Sequence, residues 1–314
     1  MSLAFVFPGQ GSQQAGMGKA LADAFPESRA VFEEADRVVG FALSRLCFEG
    51  PDSELQLTAN TQPAILATSV AALRPMLARG LRPSWVAGHS LGEYSALVAA
   101  GALSLGDALR TVRRRGQYMQ EAVPVGVGSM AAILGLDLAT IELACREAAE
   151  GELVAPANVN SQEQVVIAGH AAAVDRAILL CKAKGARRTV KLPVSAPFHC
   201  ALMQGAQDRL EADLRAVAFR DPELAFVNNA DARLVRSAAD CRDGLVRQVS
   251  GPVLWQGCVE RMAQAGVTTF VEVGPGTVLS GLARKIVKGA QTLSVDSPES
   301  LAAALATLAG EAQG

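Results

Sequence analysis

A serine with a glycine two residues to either side is the first feature of this 314-residue chain that could carry chemistry. Residues 88–92, Gly-His-Ser-Leu-Gly, follow a short apolar run and precede a stretch of small and apolar residues. A strand, a Gly-x-Ser-x-Gly turn and a helix in that order are typical of a nucleophile elbow, which lifts one serine hydroxyl above a sheet. The pattern predicts Ser90 as a nucleophile; the alternative is a chance turn with two glycines.

A serine hydroxyl needs a base at neutral pH, and that base is usually histidine. The chain has three histidines, so elimination is possible. His89 adjoins Ser90, and its side chain leaves the turn in a different direction. His170 lies at the end of a predicted strand and has a simpler interpretation as a surface residue. His199 lies in a proline-containing loop at the start of a helix, and we predict that it is the base.

An acidic partner for that histidine is not evident in the sequence. Hydrolases with this elbow carry the acid between the serine and the histidine. Asp107, Asp137 and Asp175 lie in that interval, but each is near a predicted helix start, where aspartate commonly caps the helix. The sequence therefore predicts a Ser–His dyad whose imidazole is oriented by a backbone or amide oxygen. Such a dyad fits an enzyme that passes its acyl group to another nucleophile.

One arginine stands out in the amphipathic helix that we predict over residues 105–120. At 100° per residue, Arg113 and Arg114 point away from the apolar face that Val112 marks, whereas Arg115 lies about 60° from Val112, at the edge of that face. Arg115 is either a side chain that extends to solvent along the surface or a guanidinium in a partly buried pocket. In the pocket it could bind a carboxylate through two hydrogen bonds.

The elements around these residues predict a larger α/β domain with an insertion. Residues 3–7 form a strand that enters a glycine-rich turn, and Gln14 stands where a dinucleotide fingerprint needs its third glycine. We therefore interpret the turn as a loop over the catalytic centre. Residues 125–195 predict the order βαββαβ, which is the ferredoxin-like arrangement. Gly126, Gly128, Pro193 and Pro197 mark the two ends of this insertion.

Other periodic segments predict further helices and strands. Pro63 favours a helix that opens at Thr61 and runs to about residue 79. A helix after residues 274–276 would hold three cations, and on it positions 284 and 288 would be one turn apart. The remaining predicted elements are helices over 17–24, 27–39, 244–263 with an interruption at 251–252, and 301–308, and strands near 224–228 and over 269–273.

Composition limits the class of protein. Half of the residues are hydrophobic and 19% are charged, as in a globular protein, and the net charge of −2 argues against nucleic-acid binding. No apolar run reaches the roughly 18 residues that span a bilayer, and the N-terminus lacks the basic region of a signal peptide. Six scattered cysteines without C-x-x-C indicate reduced thiols. We expect a cytoplasmic monomer without membrane, metal or cofactor.

Taken together, several motifs resemble those of the malonyl-CoA:acyl carrier protein transacylases of fatty acid synthesis. The motifs occur in the family's order and cover nearly the whole chain, which makes the set far more specific than any one of them. They are Phe7–Gln13, Gly88–Ser95, Arg115–Gly116, Asn158–Ser161, Gln164–Val166, Phe198–Met203, Gln248–Val249 and Glu272–Gly276.

The resemblance implies roles for the reacting groups. Ser90 would be the acylated nucleophile and His199 its base. The main-chain carbonyl of Gln248 would orient His199 in place of the missing acid. The backbone N–H groups of Gln10 and Leu91 would form the oxyanion hole.

The resemblance also implies substrate contacts and a fold. Arg115 would bind the malonyl carboxylate, with Asn160 and Gln62 as further substrate-binding candidates. In related domains, phenylalanine just before the histidine goes with malonyl and serine goes with methylmalonyl. Phe198 stands at that position, and its large ring would leave little room for an α-methyl branch. The implied fold is an α/β-hydrolase-like large domain over 1–124 and 196–314 with an inserted ferredoxin-like small domain over 125–195.

The activity that we predict is a ping-pong transfer for fatty acid biosynthesis. Malonyl-CoA acylates Ser90, CoA leaves, and the phosphopantetheine thiol of acyl carrier protein takes the malonyl group, without a cofactor. Arg284, Lys285 and Lys288 are candidate docking residues for an acidic carrier protein, and a solvated helix end is the alternative. Three other functions stay open: a trans-acting polyketide synthase acyltransferase, a serine thioesterase or esterase, and a non-catalytic carrier-protein docking subunit.

Overall fold

The computed structural model describes residues 2–194 and 196–311, so Ser195, at the predicted domain boundary, and the end of the predicted C-terminal tail lie outside the described residues. The strands are β1 Ser2–Phe7, β2 Trp85–Gly88, β3 Gly128–Leu134, β4 Val154–Ser161, β5 Gln164–His170, β6 Arg188–Lys191, β7 Ala225–Val227, β8 Leu234–Val235, β9 Val267–Val273 and β10 Gln291–Val295. The helices are α1 Lys19–Ala24, α2 Pro26–Val39, α3 Leu43–Glu49, α4 Asp52–Leu55, α5 Thr58–Ala78, α6 Gly92–Ala99, α7 Leu105–Glu121, α8 Leu138–Ala148, α9 Ala171–Ala183, α10 Gln204–Arg215, α11 Ala238–Ser250, α12 Trp255–Gln264, α13 Val278–Ile286 and α14 Pro298–Glu311.

The larger sheet joins its strands in the order β10, β9, β1, β2, β7 and β8. Its neighbouring strands are parallel except β8, which pairs antiparallel with β7 at the edge. On β1, Phe5 and Phe7 pack into the main core with α2 and α5, while Ala4 and Val6 pack into a second core that holds Trp255. A strand buried on both faces explains the continuous apolar run that opens the chain.

The smaller sheet is antiparallel, with the strand order β4, β5, β3 and β6. Helices α8 and α9 pack on it around a separate apolar cluster. Asp137 caps α8, because its carboxylate accepts the Thr140 N–H at 2.9 Å. The element order is the βαββαβ order that the sequence predicts for residues 125–195. The fold is therefore a mixed α/β fold with a mainly parallel sheet and a separate antiparallel sheet.

The smaller sheet is hydrogen-bonded to the loop that follows α11. Asn158 on β4 bridges in parallel to Val253, the Val159 N–H donates to the Val253 carbonyl at 2.9 Å, and the Val253 N–H donates to the Ala157 carbonyl at 2.9 Å. These backbone hydrogen bonds connect the smaller sheet to the segment that directly follows Gln248.

Two predicted helix boundaries are wrong. Helix α5 begins at Thr58, and Pro63 lies in its interior, since most residues of α5 are buried and this packing outweighs one lost backbone hydrogen bond. Helix α11 begins at Ala238 rather than near 244, because Ser237 caps it by accepting the Asp240 N–H at 3.1 Å.

The predicted helix with three cations is also too long. Helix α13 ends at Ile286, because Val287 is extended and the chain then turns toward β10 through Gly289 at φ 81°. Lys288 lies in that turn, so Arg284 and Lys288 are not one helical turn apart on a shared face. No pattern in the sequence predicted β8, β10, α3 or α4.

Among the described residues, no helix combines the length and the apolar character that crossing a membrane requires. The described residues also contain no group of three or more His, Cys, Asp or Glu side chains placed to hold a metal ion.

Candidate active site

Ser90 lies in the sharp turn between β2 and α6, with its backbone in the left-handed region at φ 53°. The glycines on either side have no space for a side chain. A Cβ on Gly88 would lie 1.9 Å from the Gly92 carbonyl oxygen, and one on Gly92 would lie 2.2 Å from the Phe7 carbonyl oxygen. The strand–turn–helix arrangement that the sequence predicts is therefore present, with the close backbone approach that requires both glycines.

His199 is hydrogen-bonded to Ser90. Its Nε2 lies 2.7 Å from Ser90 Oγ, and its Nδ1 lies 2.8 Å from the main-chain carbonyl oxygen of Gln248. A carbonyl only accepts, so Nδ1 carries the proton and Nε2 is free to accept from the serine hydroxyl. Burial and the nearby Arg115 charge lower the pKa of His199 to about 3, which keeps the imidazole neutral.

The other two histidines have different partners. His89 Nε2 lies 2.8 Å from Asn160 Oδ1, and burial lowers the pKa of His89. His170 Nδ1 accepts the Leu153 N–H at 2.9 Å. Only His199 is hydrogen-bonded to the Ser90 hydroxyl among the described histidines.

The candidate acids also have other partners. Asp107 lies in the first turn of α7 with Ser104 and Arg110, and Asp137 caps α8. Asp175 pairs with Lys191 at 2.8 Å on the surface. The backbone oxygen of Gln248 therefore stands where a carboxylate would orient the imidazole.

Arg115 is buried, with 1% of its surface exposed, so the interpretation of a side chain that extends to solvent is wrong. Its Nη1 donates to Gln62 Oε1 at 2.8 Å, and its Nη2 donates to Ser90 Oγ at 3.1 Å and to Gln248 Oε1 at 2.8 Å. Its Nε has no partner among the described residues. The cation thus has neutral partners and no ion pair within the described chain, and burial lowers its pKa. This arrangement can receive an anion beside the serine.

The backbone N–H groups of Gln10 and Leu91 donate no hydrogen bond to any described residue. Gln10 lies in the turn after β1, where its side chain donates to Thr58 Oγ1 at 3.2 Å, and Leu91 precedes α6. A Cβ on Gly9 would lie 2.5 Å from the His89 carbonyl oxygen, so this turn packs against the elbow. The N–H groups of Gln10 and Leu91 are the predicted oxyanion hole.

The other predicted residues divide into two groups. Two of them are buried at 7% exposure each. They are Phe198, which adjoins His199, and Asn160, which is hydrogen-bonded to His89. Arg284, Lys285 and Lys288 are exposed at the end of α13 and after it, and none forms an ion pair with a described acidic residue.

Sequence reasoning missed two residues of the site. Asn229 Oδ1 accepts the Ser90 N–H at 2.8 Å, and Glu93 Oε2 accepts from the Gln248 amide at 2.8 Å. Both are fully buried. A signal existed for Asn229, because two asparagines follow a short apolar strand at its carboxyl end, where α/β sheets bind ligands. The sequence held no such signal for Glu93, since a glutamate is common in the first turn of a helix.

A parallel-sheet α/β fold with a serine–histidine pair at an elbow and free N–H donors beside it is typical of enzymes that form an acyl-serine intermediate. The added buried arginine distinguishes this site from that of a simple esterase.

Comparison with known proteins shows to which family of acyl-serine enzymes the chain is similar. Residues 4–308 match the acyl transferase domain family. The chain is 50% identical to the malonyl CoA-acyl carrier protein transacylase of Escherichia coli K12, over 96% of this chain and 98% of that protein. It is 46% identical to the Bacillus subtilis protein of the same name, over 98% of each. The chain belongs to the malonyl CoA-acyl carrier protein transacylase family, which confirms the resemblance.

Solved structures agree. The acyl carrier protein S-malonyltransferase of Vibrio cholerae superposes with a TM-score of 0.95 at 47% identity, covering 97% of this chain and 100% of that one. A malonyl-transacylase solved in complex with its type II polyketide synthase acyl-carrier protein gives a TM-score of 0.96 at 48% identity, covering 98% and 100%.

Proposed function

We propose that this chain transfers a malonyl group from malonyl-CoA to the phosphopantetheine thiol of acyl carrier protein, with Ser90 as the acylated intermediate. The observation that carries the proposal is the Arg115 guanidinium, which is buried 3.1 Å from Ser90 Oγ and forms no ion pair with a described residue. An acyl group that ends in a carboxylate would supply the missing negative charge while its thioester carbon lies at the serine. The names of the relatives support the same substrate and acceptor.

In the first half-reaction, Ser90 Oγ attacks the thioester carbon and His199 Nε2 takes the hydroxyl proton. Charge on the carbonyl oxygen is stabilised by the N–H groups of Gln10 and Leu91. The C–S bond then breaks, and His199 returns the proton to the CoA sulfur. The Gln248 carbonyl holds the Nδ1 proton throughout, which stabilises the transient imidazolium.

The second half-reaction repeats these steps in reverse. The carrier thiol gives its proton to His199 and attacks the malonyl-serine ester. The ester C–O bond breaks, and His199 returns the proton to Ser90 Oγ. The thioester of the carrier protein leaves, and the enzyme is regenerated without a metal or other cofactor.

Three neighbours would select the acyl group. Gln62 holds Nη1 of Arg115 and so orients the guanidinium. Phe198 would disfavour an α-methyl branch, a preference of roughly 1–3 kcal/mol. Asn160, bonded to His89, would complete the pocket wall from the smaller sheet.

We assign residues 1–124 and 196–314 to an α/β-hydrolase-like large domain and residues 125–195 to a ferredoxin-like insertion, supported by the strand order β4, β5, β3, β6. The six cysteines are free and buried, which supports a reducing, cytoplasmic location, and we expect a monomer.

The alternatives differ in support. A serine esterase has no need of Arg115, and a docking subunit has no need of an intact Ser90–His199 pair. Fatty acid and polyketide pathways stay open, because relatives from both are about equally similar.

Intact-mass analysis tests the proposal. Malonyl-CoA should add the mass of one malonyl group to the enzyme, and holo acyl carrier protein should then remove it and gain the same mass. Ser90→Ala should show neither change, and transfer should fall by several orders of magnitude, because loss of a serine nucleophile costs up to roughly 10⁶. A malonylated Ser90→Ala protein, or release of free malonate in place of transfer, would contradict the proposal.

A further inference from the structure

Glu93 is a buried carboxylate that the proposed reaction does not use. It lies in the first turn of α6 with 0% exposure. Its Oε2 accepts the Asn229 N–H at 2.9 Å and the Gln248 Nε2 at 2.8 Å, whereas its Oε1 has no partner among the described residues. Burying a carboxylate costs free energy, and the hydrogen bonds of Glu93 to Gln248 and Asn229 offset part of that cost.

The Gln248 side chain connects Glu93 to the arginine of the site. Its Nε2 also donates to the Ser90 carbonyl at 3.0 Å, while its Oε1 accepts from Arg115 Nη2 at 2.8 Å. Its Nε2 donates to Asn229 Oδ1 at 3.1 Å as well, so Glu93 Oε2, the Ser90 carbonyl and Asn229 Oδ1 together hold the amide with its nitrogen toward Glu93 and its oxygen toward Arg115. The reversed amide would place its NH₂ group against the guanidinium. The backbone carbonyl of Gln248 meanwhile holds His199.

Asn229 connects Glu93 to the elbow. Its Oδ1 accepts the Ser90 N–H at 2.8 Å, and its Nδ2 donates to the Gly88 carbonyl at 2.8 Å. These two hydrogen bonds hold the turn in which Ser90 has its left-handed backbone, a conformation that costs energy for a residue other than glycine. The backbone of Asn229 is in turn held by Glu93.

We propose that Glu93 is a positioning residue that orients Arg115 through the Gln248 amide and Ser90 through Asn229. The inference rests on the proposed function, since it concerns the same site. A residue that holds both groups must affect transfer of a malonyl group, which needs Arg115 and Ser90, more than transfer of an acetyl group, which needs Ser90 alone.

The test compares three variants. Glu93→Gln keeps an oxygen for Asn229 and Gln248 but removes the charge, and Glu93→Leu removes both acceptors. Glu272→Gln is the matched control: Glu272 is equally buried on β9, and it accepts the N–H groups of Leu279 and Ser280 at the start of α13. The readout is the single-turnover rate of Ser90 acylation by malonyl-CoA and by acetyl-CoA at pH 8, above the pKa of about 7 to which burial raises Glu93, for protein shown by circular dichroism to be folded.

Glu93→Gln should lower the ratio of malonyl to acetyl rate about fivefold, because the hydrogen bond to Gln248 loses its charge. Glu93→Leu should slow malonylation on the order of 10²-fold, with a smaller loss for acetyl, since the buried Asn229 N–H loses its acceptor and Gln248 Nε2 loses one of its three. Glu272→Gln should keep the wild-type ratio.

A wild-type ratio in Glu93→Gln would overturn the inference, whether or not Glu93→Leu folds. Equal losses for both acyl groups in Glu93→Leu would also overturn it, because they would show a purely structural role. A wild-type enzyme that takes no malonyl group would instead refute the proposed function.

Discussion

At the level of single residues, Arg115 is the side chain whose burial most needs an explanation. Removing a cation from water is expensive, and within the part of the chain that the structure describes this one has three neutral partner residues and no carboxylate partner. Such an arrangement is favourable when a ligand brings the counter-charge. Arginine suits that purpose better than lysine, because its planar fork can bind both oxygens of a carboxylate while it stays charged.

Arg115→Ala should lose malonyl transfer far more than acetyl transfer. A carboxylate without its partner in a confined pocket costs roughly 3–5 kcal/mol, which corresponds to a loss in kcat/KM on the order of 10²–10⁴. Acetyl has no carboxylate and should lose little or even gain. Steady-state kinetics with both CoA thioesters checks this.

Arg114→Ala is the matched control, since Arg114 lies on the same helix but is exposed and pairs with Asp213 at 2.6 Å. It should leave both activities near wild type. Equal losses for malonyl and acetyl in Arg115→Ala would mean that Arg115 is structural.

His199, the base in our proposal, is hydrogen-bonded to a backbone carbonyl and to no carboxylate among the described residues. Its pKa of about 3 keeps Nε2 unprotonated at neutral pH, and one backbone oxygen sets the tautomer. A backbone carbonyl does not titrate, so the acceptor that orients the ring stays uncharged at every pH.

Among the elements, α13 and the turn after it carry the predicted basic docking residues. Lys288 lies beyond the helix. It is exposed, as are Arg284 and Lys285, and none of the three forms an ion pair with a described acidic side chain. Net charge of the chain is −2, so attraction of an acidic carrier protein would depend on such local cations.

Reversing Lys285 and Lys288 to glutamate should raise KM for carrier protein and flatten its salt dependence, because rim charges act mainly on the encounter rate. KM for malonyl-CoA should change less. Carrier-protein titrations at several salt concentrations measure both effects.

The control reverses Arg146 and Lys182 on α8 and α9, two exposed cations without a described ion pair, which changes the net charge by the same amount. A similar KM change in both double variants would indicate net charge rather than docking. Wild-type values in the Lys285 and Lys288 variant would show that the carrier docks elsewhere.

For the protein as a whole, protonation of the buried Glu93 makes the free energy of unfolding depend on pH. Burial raises the pKa of Glu93 to about 7, against the opposing effect of its hydrogen bonds and of Arg115. The titratable groups that interact with it are Arg115, Asp231, Tyr94, Cys241 and Cys258. The folded state therefore binds this proton more tightly than the unfolded state does.

The stability that this proton contributes is complete below pH 4.5 and is lost as pH rises toward about 7. Wild type should lose about 3 kcal/mol of unfolding free energy relative to Glu93→Gln over that range, since the variant has no proton to release. Urea unfolding of both proteins at pH 4.5, 6 and 8 measures the difference. Parallel stability curves would contradict the shifted pKa.

Much of the site could be predicted from short segments of the chain. An elbow needs small residues at fixed places in one turn, so residues 88–92 carry the whole signal for Ser90. His199 followed because the chain has only three histidines. The element order over 125–195 was predictable because strand and helix periodicity and capping residues such as Asp137 are local.

The positions of helix ends depended more on tertiary packing than on the local sequence. Helix α5 continues through Pro63 because its residues are buried against the core, and α13 ends at Ile286 because the chain must turn to place β10 beside β9. Neither condition is local, so propensity alone placed both boundaries wrongly.

The contacts that complete the site were decided by tertiary structure. Ser90 and Asn229 are 139 residues apart, and Arg115 and Gln248 are 133 apart. These pairs meet because the larger sheet places β2 beside β7 and because α11 ends near the elbow, an arrangement that no local pattern encodes. Periodicity left Arg115 at the edge of a helix face, between solvent and a pocket. Packing of α7 against α5 buried it beside Ser90, and that burial is what makes it a candidate for binding a carboxylate.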